Sequence, residues 1–297
     1  MIDTAIARKA DLIGSAFMVL AMALFAVEDA FIKTAALTLP IGQVLILFGL
    51  GGACVFAALL RLNAMTLFVP DVLSRPMRIR AVFEVTGRLF YVLAIAMIPL
   101  SAATVILQAT PLVVVAGAAI VFGETVGWRR WTAIIVGLIG VIIIIQPGTD
   151  SFSALSLLAI IGMFGFAGRD LASRAAPASI GTLRLGLYGF CAVIVAGALY
   201  TLWEGAGVIR PTTLAALSLL GAVGAGVAAY ASLMKAMRTG DVSAVTPFRY
   251  TRLLFGIGMG VVLFGERLTT ATWAGSALIV LSGLFIMWRG KKSAAQT

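Results

Sequence analysis

One apolar stretch near the N-terminus of this sequence carries side chains whose types and spacing could bind a charged solute. They recur at intervals of three and four residues: Phe25, Glu28, Asp29 and Lys33. This spacing places them along one side of a helix. The two carboxylates could attract the ammonium group of a small molecule. A structural pair between Asp29 and Lys33, four residues apart, explains the same pattern, and the spacing leaves both readings open.

A later apolar stretch contains Glu84, Arg88 and Tyr91. We expect Glu84 to pair with Arg88 one helical turn later, with Tyr91 about one turn beyond. A paired arginine keeps spare donors, so Arg88 could clamp a carboxylate or close a gate by engaging an acid of the first stretch. Tyr91 offers an aromatic face and a hydroxyl, although packing alone would also explain it.

A third apolar stretch contains Arg169 and Asp170, which are adjacent in the sequence. Adjacent side chains point about 100° apart on a helix, so we expect separate partners for them rather than a mutual salt bridge. Asp170 is a candidate proton carrier, or a structural tie between the two halves of the chain. The sequence contains no histidine, so a protonation switch at membrane depth must use acids.

Towards the C-terminus, Arg249 and Arg252 are three residues apart, with Tyr250 between them. Two guanidinium groups on one side of a helix predict carboxylate binding or a gate. A structural role for these arginines is the alternative.

Prolines interrupt two of the apolar stretches, at Pro111 and Pro247. Each proline leaves the carbonyl four residues earlier without its helical partner, and a neighbouring polar group or water must satisfy it. Breaks in related helices point to a binding region, which makes Gln108 a further candidate site residue.

The elements that position these residues are long apolar helices. Hydrophobic residues make up 61% of the 297 residues and charged residues 11%, against about half and about a quarter in soluble proteins. A helix needs about 20 apolar residues to cross about 30 Å of hydrocarbon. Ten stretches fit: 12–37, 41–60, 79–98, 101–122, 128–146, 154–175, 180–203, 211–237, 242–264 and 270–289. We therefore predict an all-α membrane protein with ten transmembrane helices.

The linkers between these stretches are alternately rich and poor in Lys and Arg. One side carries Arg8, Lys9, Arg61, Arg75, Arg78, Arg80, Arg129, Arg130, Arg174, Arg184, Arg238, Arg289, Lys291 and Lys292, and the other only Arg210 and Arg267. Because cytoplasmic loops retain cations, both termini are predicted to be cytoplasmic. Membrane lipid then accounts for the net charge of +10, and no nucleic-acid partner is expected.

The two halves of the chain repeat at an offset of 142 residues. The matches include Glu28 with Asp170, Ser101, Ala102 and Thr104 with Ser243, Ala244 and Thr246, and Trp131 with Trp273. We predict two five-helix repeats, at 1–148 and 149–297, and an odd number of spans inverts the second relative to the first. Inverted repeats commonly build secondary transporters that work by alternating access.

Several other classes of function lack their residues in this sequence. A phosphate-binding loop, a paired-cysteine metal motif and any histidine ligand are missing, so no enzyme, cofactor or metal is predicted. Cys54 and Cys191 lie within predicted spans and predict no disulfide. The first stretch follows Arg8 and Lys9 as a signal peptide would, but it continues apolar to Ala36, so we expect no cleavage.

In each half, the fourth span ends in Phe-Gly-Glu, at 122–124 and 264–266, before a fifth span that contains tryptophan. This combination resembles the drug/metabolite transporter (DMT) superfamily and, within it, the EamA-type ten-span exporters. The chain is similar over nearly its whole length to the YddG-like amino-acid exporters. The resemblance implies export of amino acids, including aromatic and neutral ones, or similar small metabolites across a bacterial inner membrane.

Two alternatives stay open: an antiporter of anionic metabolites such as sugar phosphates or nucleotide sugars, and a non-transporting membrane scaffold. The acids at membrane depth nearly balance the bases: Glu28, Asp29, Glu84 and Asp170 against Lys33, Arg88, Arg169, Arg249 and Arg252. A near-neutral cavity favours a zwitterionic small-molecule substrate. Protons are the candidate coupling ion.

Overall fold

The computed structural model of the protein describes residues 2–123, 126–146, 153–177, 179–239 and 245–294. Within these residues the secondary structure is helical and contains no β-strand, which confirms the all-α prediction. The α-helices are α1 (Ile2–Ala36), α2 (Ile41–Leu62), α3 (Arg75–Met97), α4 (Leu100–Leu107), α5 (Thr110–Phe122), α6 (Trp128–Ile145), α7 (Ser156–Arg174), α8 (Thr182–Glu204), α9 (Thr213–Thr239), α10 (Thr251–Phe264) and α11 (Thr270–Ala294). Short 3-10 helices occupy Pro70–Leu73 and Thr246–Tyr250.

Among the described residues, eight helical segments are long and apolar enough to cross a membrane. They are Lys9–Ala36, Ile41–Leu62, Leu100–Phe122, Trp128–Ile145, Ser156–Arg174, Thr182–Glu204, Thr213–Met237 and Thr270–Trp288. Two predicted spans do not meet that test. Helix α3 carries several charges, and α10 has 14 residues after a 3-10 helix. The full count of ten spans stays a prediction.

The fourth predicted span is broken where Pro111 indicated. Helix α4 ends at Leu107 and α5 begins at Thr110. The hydroxyl of Thr110 donates to the Leu107 carbonyl at 2.5 Å, and Leu107 is the residue whose helical partner Pro111 removes. The predicted polar substitute is therefore confirmed. The corresponding carbonyl before Pro247 belongs to Ser243, outside the described residues.

The chain forms two compact units. Unit 1 comprises Met1–Val27, Leu100–Ser153 and Ala228–Thr297, and unit 2 comprises Glu28–Pro99 and Ala154–Val227. Each unit therefore combines helices from both predicted repeats.

In unit 2, α2 packs antiparallel against α8 through glycines. Gly42 lies against Gly197 near one end, and Phe56 lies against Gly186 near the other. A Cβ atom added at Gly49 would lie 2.9 Å from the amide nitrogen of Ile194. Small residues let helix backbones approach this closely in a membrane.

Unit 1 contains two further antiparallel pairs, α4 with α10 and α6 with α11. Gly256 lies against Thr104, and a Cβ atom at Gly140 would lie 2.8 Å from the Gly275 carbonyl oxygen. In the α2–α8 and α6–α11 pairs the partners correspond at the 142-residue offset, whereas α10 corresponds to α5 and packs against α4, the other half of the same predicted span. Antiparallel packing of corresponding helices is the relation that an inverted repeat predicts.

Candidate functional site

Unit 2 positions most of the ionisable residues that the sequence singles out. Helix α3 supplies Arg88 and Tyr91, the end of α1 supplies Glu28, Asp29 and Lys33, and α7 supplies Asp170.

Arg88 forms a part-buried ion pair with the first helix. Its Nη1 donates to Glu28 Oε1 at 2.8 Å, and the exposed fractions of the two side chains are 15% and 2%. The guanidinium carbon lies 5.5 Å from the ring centroid of Phe48 and 5.9 Å from that of Phe166. Its Nε is buried without a hydrogen-bond partner among the described residues. Arg88 thus engages an acid of the first helix while keeping donor capacity between two aromatic rings.

Glu84 has different partners from the one expected. It accepts from Arg80 Nη2 at 3.0 Å and from Arg169 Nη1 at 3.3 Å. Arg80 also donates to Ser173 Oγ at 3.0 Å. The predicted Glu84–Arg88 pair is therefore wrong, because Arg88 turns to Glu28 while arginines one turn earlier and on α7 hold Glu84.

Arg169 and Asp170 pair with each other, which contradicts the expectation of separate partners. Arg169 Nη2 and Nε donate to the same Asp170 oxygen at 2.8 and 2.9 Å. The arginine side chain is long enough to fold back across the 100° that separates neighbouring Cβ atoms. The guanidinium also lies 4.7 Å from the Phe166 ring centroid. Asp170 thus belongs to a network that continues through Arg169 to Glu84.

Asp29 and Lys33 contact α3. The hydroxyl of Tyr91 donates to Asp29 Oδ2 at 2.9 Å, in a buried contact. The Lys33 ammonium donates to the carbonyl oxygens of Ile95 at 2.6 Å and Ile98 at 2.8 Å. A cation at the carbonyl end of a helix is electrostatically favourable, so Lys33 holds the end of α3.

Unit 1 positions the remaining candidates. Gln108 Nε2 donates to the Arg249 carbonyl oxygen at 3.1 Å. The Arg252 guanidinium lies 5.2 Å from the ring centroid of Phe25. The buried Tyr250 hydroxyl lies against Gly283 and has no hydrogen-bond partner among the described residues. Aromatic faces and main-chain contacts are the features of this region.

The Phe-Gly-Glu motif has a structural task that sequence reasoning missed. Glu266 Oε1 accepts from the Leu100 amide at 2.6 Å, and Oε2 accepts from the Ser101 amide at 2.9 Å. These amides begin α4, so Glu266 caps the helix and complements its dipole. The Glu266–Leu100 separation of 166 residues hides this contact from local pattern analysis. Glu124, its counterpart, lies outside the described residues.

Sequence reasoning also missed Phe48, Phe166 and Gly226 as neighbours of the Arg88–Glu28 pair. A Cβ atom at Gly226 would lie 3.1 Å from Glu28 Oε2, so α9 approaches the carboxylate closely there. Glycine in a membrane helix favours close packing, but the sequence does not show which side chain it meets.

Two stretches of the chain, residues 12–146 and 154–288, match the profile of the EamA-like transporter family. The chain belongs to this family. The EamA relatives are transporters, which agrees with the prediction that the chain is not an enzyme. The family membership confirms the resemblance to the DMT superfamily.

Three relatives of this EamA chain differ in the solute for which they are named. The pseudopaline exporter CntI of Pseudomonas aeruginosa is 28% identical, over 91% of this chain and 94% of that protein. The S-adenosylmethionine uptake transporter of Rickettsia prowazekii is 28% identical and the riboflavin transporter of Vibrio cholerae 30%, each over 66% of this chain. The chain spans 65% of the length of those two proteins.

The fold of this chain matches that of a protein crystal structure with a TM-score of 0.63 at 20% identity. The match covers 94% of this chain and 98% of that one.

Within the described residues no cluster of three or more His, Cys, Asp or Glu side chains could hold a metal ion.

Proposed function

We propose that this EamA-family protein is a secondary transporter that exports amino acids or similar small metabolites by alternating access. The observation that carries the proposal is the Arg88–Glu28 pair, a buried anion bonded to a partly buried cation whose guanidinium lies near the rings of Phe48 and Phe166. Ionisable groups at membrane depth are costly and commonly mark a substrate path.

A zwitterion is the class of solute that can bind both members of the Arg88–Glu28 pair at once. Opening a buried ion pair leaves two uncompensated charges, which costs about 3–5 kcal/mol. If the substrate carboxylate binds Arg88 and its ammonium binds Glu28, each charge regains a partner and that cost is offset. The Nε of Arg88 supplies an additional donor. An anion would satisfy Arg88 but would leave Glu28 uncompensated.

The aromatic rings beside Arg88 define what else the substrate can contact. Phe48 and Phe166 supply apolar faces, which suit neutral and aromatic amino-acid side chains. Unit 1 holds separate candidates for binding or gating, which are Phe25 with Arg252 and Gln108 with Arg249. We assign Tyr91 and Asp29 the positioning of α1 against α3, and Asp170 a structural tie.

The proposed setting is the bacterial inner membrane, with ten spans in two inverted repeats and both termini cytoplasmic. The alternation of cation-rich and cation-poor linkers supports this orientation. Export is the proposed direction because CntI, which matches this chain over 94% of the length of CntI, is named as an exporter. The substrates named for the relatives support a small-molecule solute without specifying one.

Counterflow in liposomes tests the proposal. Purified protein is reconstituted, and uptake of labelled neutral, cationic and anionic amino acids is compared with that of sugar phosphates. We expect neutral amino acids to exchange. The Arg88→Gln and Glu28→Gln variants should each lower the flux at least about tenfold, since each removes a charge-assisted contact. Arg61→Gln changes an exposed arginine at the end of α2 and should leave the flux unchanged.

The double variant Glu28→Gln, Arg88→Gln separates binding from folding, because it removes both charges and leaves neither one orphaned. Retained amino-acid flux in this variant would show that the pair is not the site. Exchange of phosphorylated anions alone would replace the proposal by the antiporter alternative. Absence of all flux in competent vesicles would favour the scaffold alternative.

A further inference from the structure

A groove on the surface of unit 1 has none of the candidate site residues described above in its lining. It runs between α6 and α11 and has a volume of about 510 Å³. The short side chains of Ala133 and Ser282 line it together with the large ones of Trp128 and Phe285. Most of the lining is apolar, and one charged residue, Arg129, contributes to it.

The charged end of the groove forms no ion pair within the described part of the chain. Arg129 is exposed, and its guanidinium carbon lies 5.3 Å from the ring centroid of Trp128. Neither Arg129 nor the adjacent Arg130 forms an ion pair with a described residue. Trp128 is 73% exposed, and exposed tryptophan beside arginine is typical of the membrane interface. This end of the groove therefore suits an anion at headgroup depth.

The α6 side of the groove is short enough to lie within one leaflet. From Trp128 to Val136 the α6 side of the lining covers eight residues, or about 12 Å at the helical rise. Half of a hydrocarbon core of about 30 Å is about 15 Å. An acyl chain that starts at the arginine end would thus stay within the leaflet where it started.

We propose that this groove is a binding site for an acidic phospholipid. One acyl chain lies along the apolar lining between α6 and α11, and the lipid phosphate accepts hydrogen bonds from Arg129. Arg130 adds to the positive potential at the same depth. The lipid comes from the leaflet on the arginine-rich side, which is the cytoplasmic one in the predicted topology.

A second copy of the chain is a poorer occupant of the groove. A two-fold symmetric contact would place the Arg129 and Arg130 side chains of one copy near those of the other. Like charges that face each other across an interface disfavour association. An acidic lipid instead neutralises these cations while its chain covers the apolar lining.

Native mass spectrometry of the detergent-purified protein tests the proposal. Phosphatidylglycerol and phosphatidylcholine with identical acyl chains are titrated in turn. We expect tighter binding of phosphatidylglycerol, and Arg129→Gln should weaken it about fivefold, the effect of one surface cation on an anionic lipid. Arg61→Gln removes an exposed arginine predicted on the same membrane side but outside the groove, and should leave the affinity unchanged. Ala133→Trp fills the groove and should displace the lipid while Arg129 stays in place.

Equal binding of the two lipids would overturn the proposal, as would an equal effect of Arg61→Gln and Arg129→Gln. Unchanged lipid binding by a folded Ala133→Trp variant would show that the lipid does not bind in the groove. A dimer that Ala133→Trp dissociates, without lipid dependence, would assign the groove to a second copy and also overturn it. Arg129→Lys, which keeps the charge, should retain most of the binding.

Discussion

The two compact units stabilise their cations in different ways. In unit 2, Arg80, Arg88 and Arg169 are paired with carboxylates at 2.8–3.3 Å. In unit 1, Arg252 and Lys235 lie over the rings of Phe25 and Phe17, 5.2 and 4.4 Å from the centroids. An ion pair places an opposite charge beside the cation, whereas an aromatic face offers the partial negative charge of the ring.

Within unit 2, the paired charges form two sets with different roles. The Arg80–Glu84–Arg169–Asp170 network binds α3 to α7 and has its charges balanced internally. Arg88 differs from this network because it has one acidic partner, Glu28, and a free buried Nε among the described residues. The comparison therefore predicts that stability depends most on Glu84, and that substrate binding depends most on Arg88.

The largest expected effect on stability comes from Glu84→Gln. The change keeps the size of the side chain but leaves Arg80 without its carboxylate and Arg169 with Asp170 alone. Removing one partner of a buried pair costs about 3–5 kcal/mol, so we expect a loss of that size in the free energy of unfolding, measured by denaturant titration in detergent. Glu204→Gln, an exposed acid at the end of α8, is the matched control.

A double variant sharpens the same test. Arg80→Met with Glu84→Met replaces the charges by apolar groups and should destabilise less than Glu84→Gln alone. If both variants lose the same free energy, packing rather than charge balance holds α3 to α7, and the comparison fails.

An intermediate effect is expected from Glu266→Ala in unit 1. This carboxylate accepts from two backbone amides at the start of α4, and loss of a helix cap costs about 1 kcal/mol. Thermal unfolding of the purified protein measures the change. Glu266→Asp is the control: it keeps the charge, and full loss of stability in that variant would show that the reach to α4, not the charge, is what matters.

The smallest effect on stability is expected from Arg252→Gln, because a partly exposed cation over an aromatic ring contributes about 0.5–1 kcal/mol. Its destabilisation should stay well below that of Glu84→Gln when both are measured by denaturant titration. A loss as large as that of Glu84→Gln would mean that Arg252 has an equally strong role in packing, and the contrast between the units would disappear.

Most of the helices followed from composition alone. Apolar stretches of about 20 residues have few alternatives to membrane helices, and the observed α2, α6, α7 and α8 begin and end within about three residues of the predicted bounds. The break at Pro111 was equally predictable, because proline removes a fixed donor and the hydroxyl of Thr110 is the nearest replacement.

Partner choice within the charged network was not predictable in the same way. Helical spacing predicted Glu84 with Arg88, but it also allowed Arg80, which is four residues earlier. The position of α7 supplied Arg169 as a further partner, and the position of α1 supplied Glu28 for Arg88. Spacing along one helix ranks local partners and says nothing about those from other helices.

The sequence by itself determined that this chain is an all-helical protein of the EamA-like family, because hydrophobic length and repeated motifs are properties of the chain. Only the tertiary structure decided which charge meets which. Arg88 lies 60 residues from Glu28 along the chain, and Glu266 lies 166 from Leu100. Such contacts depend on helix packing at glycines, where distances of a few ångströms select one partner from several of equal charge.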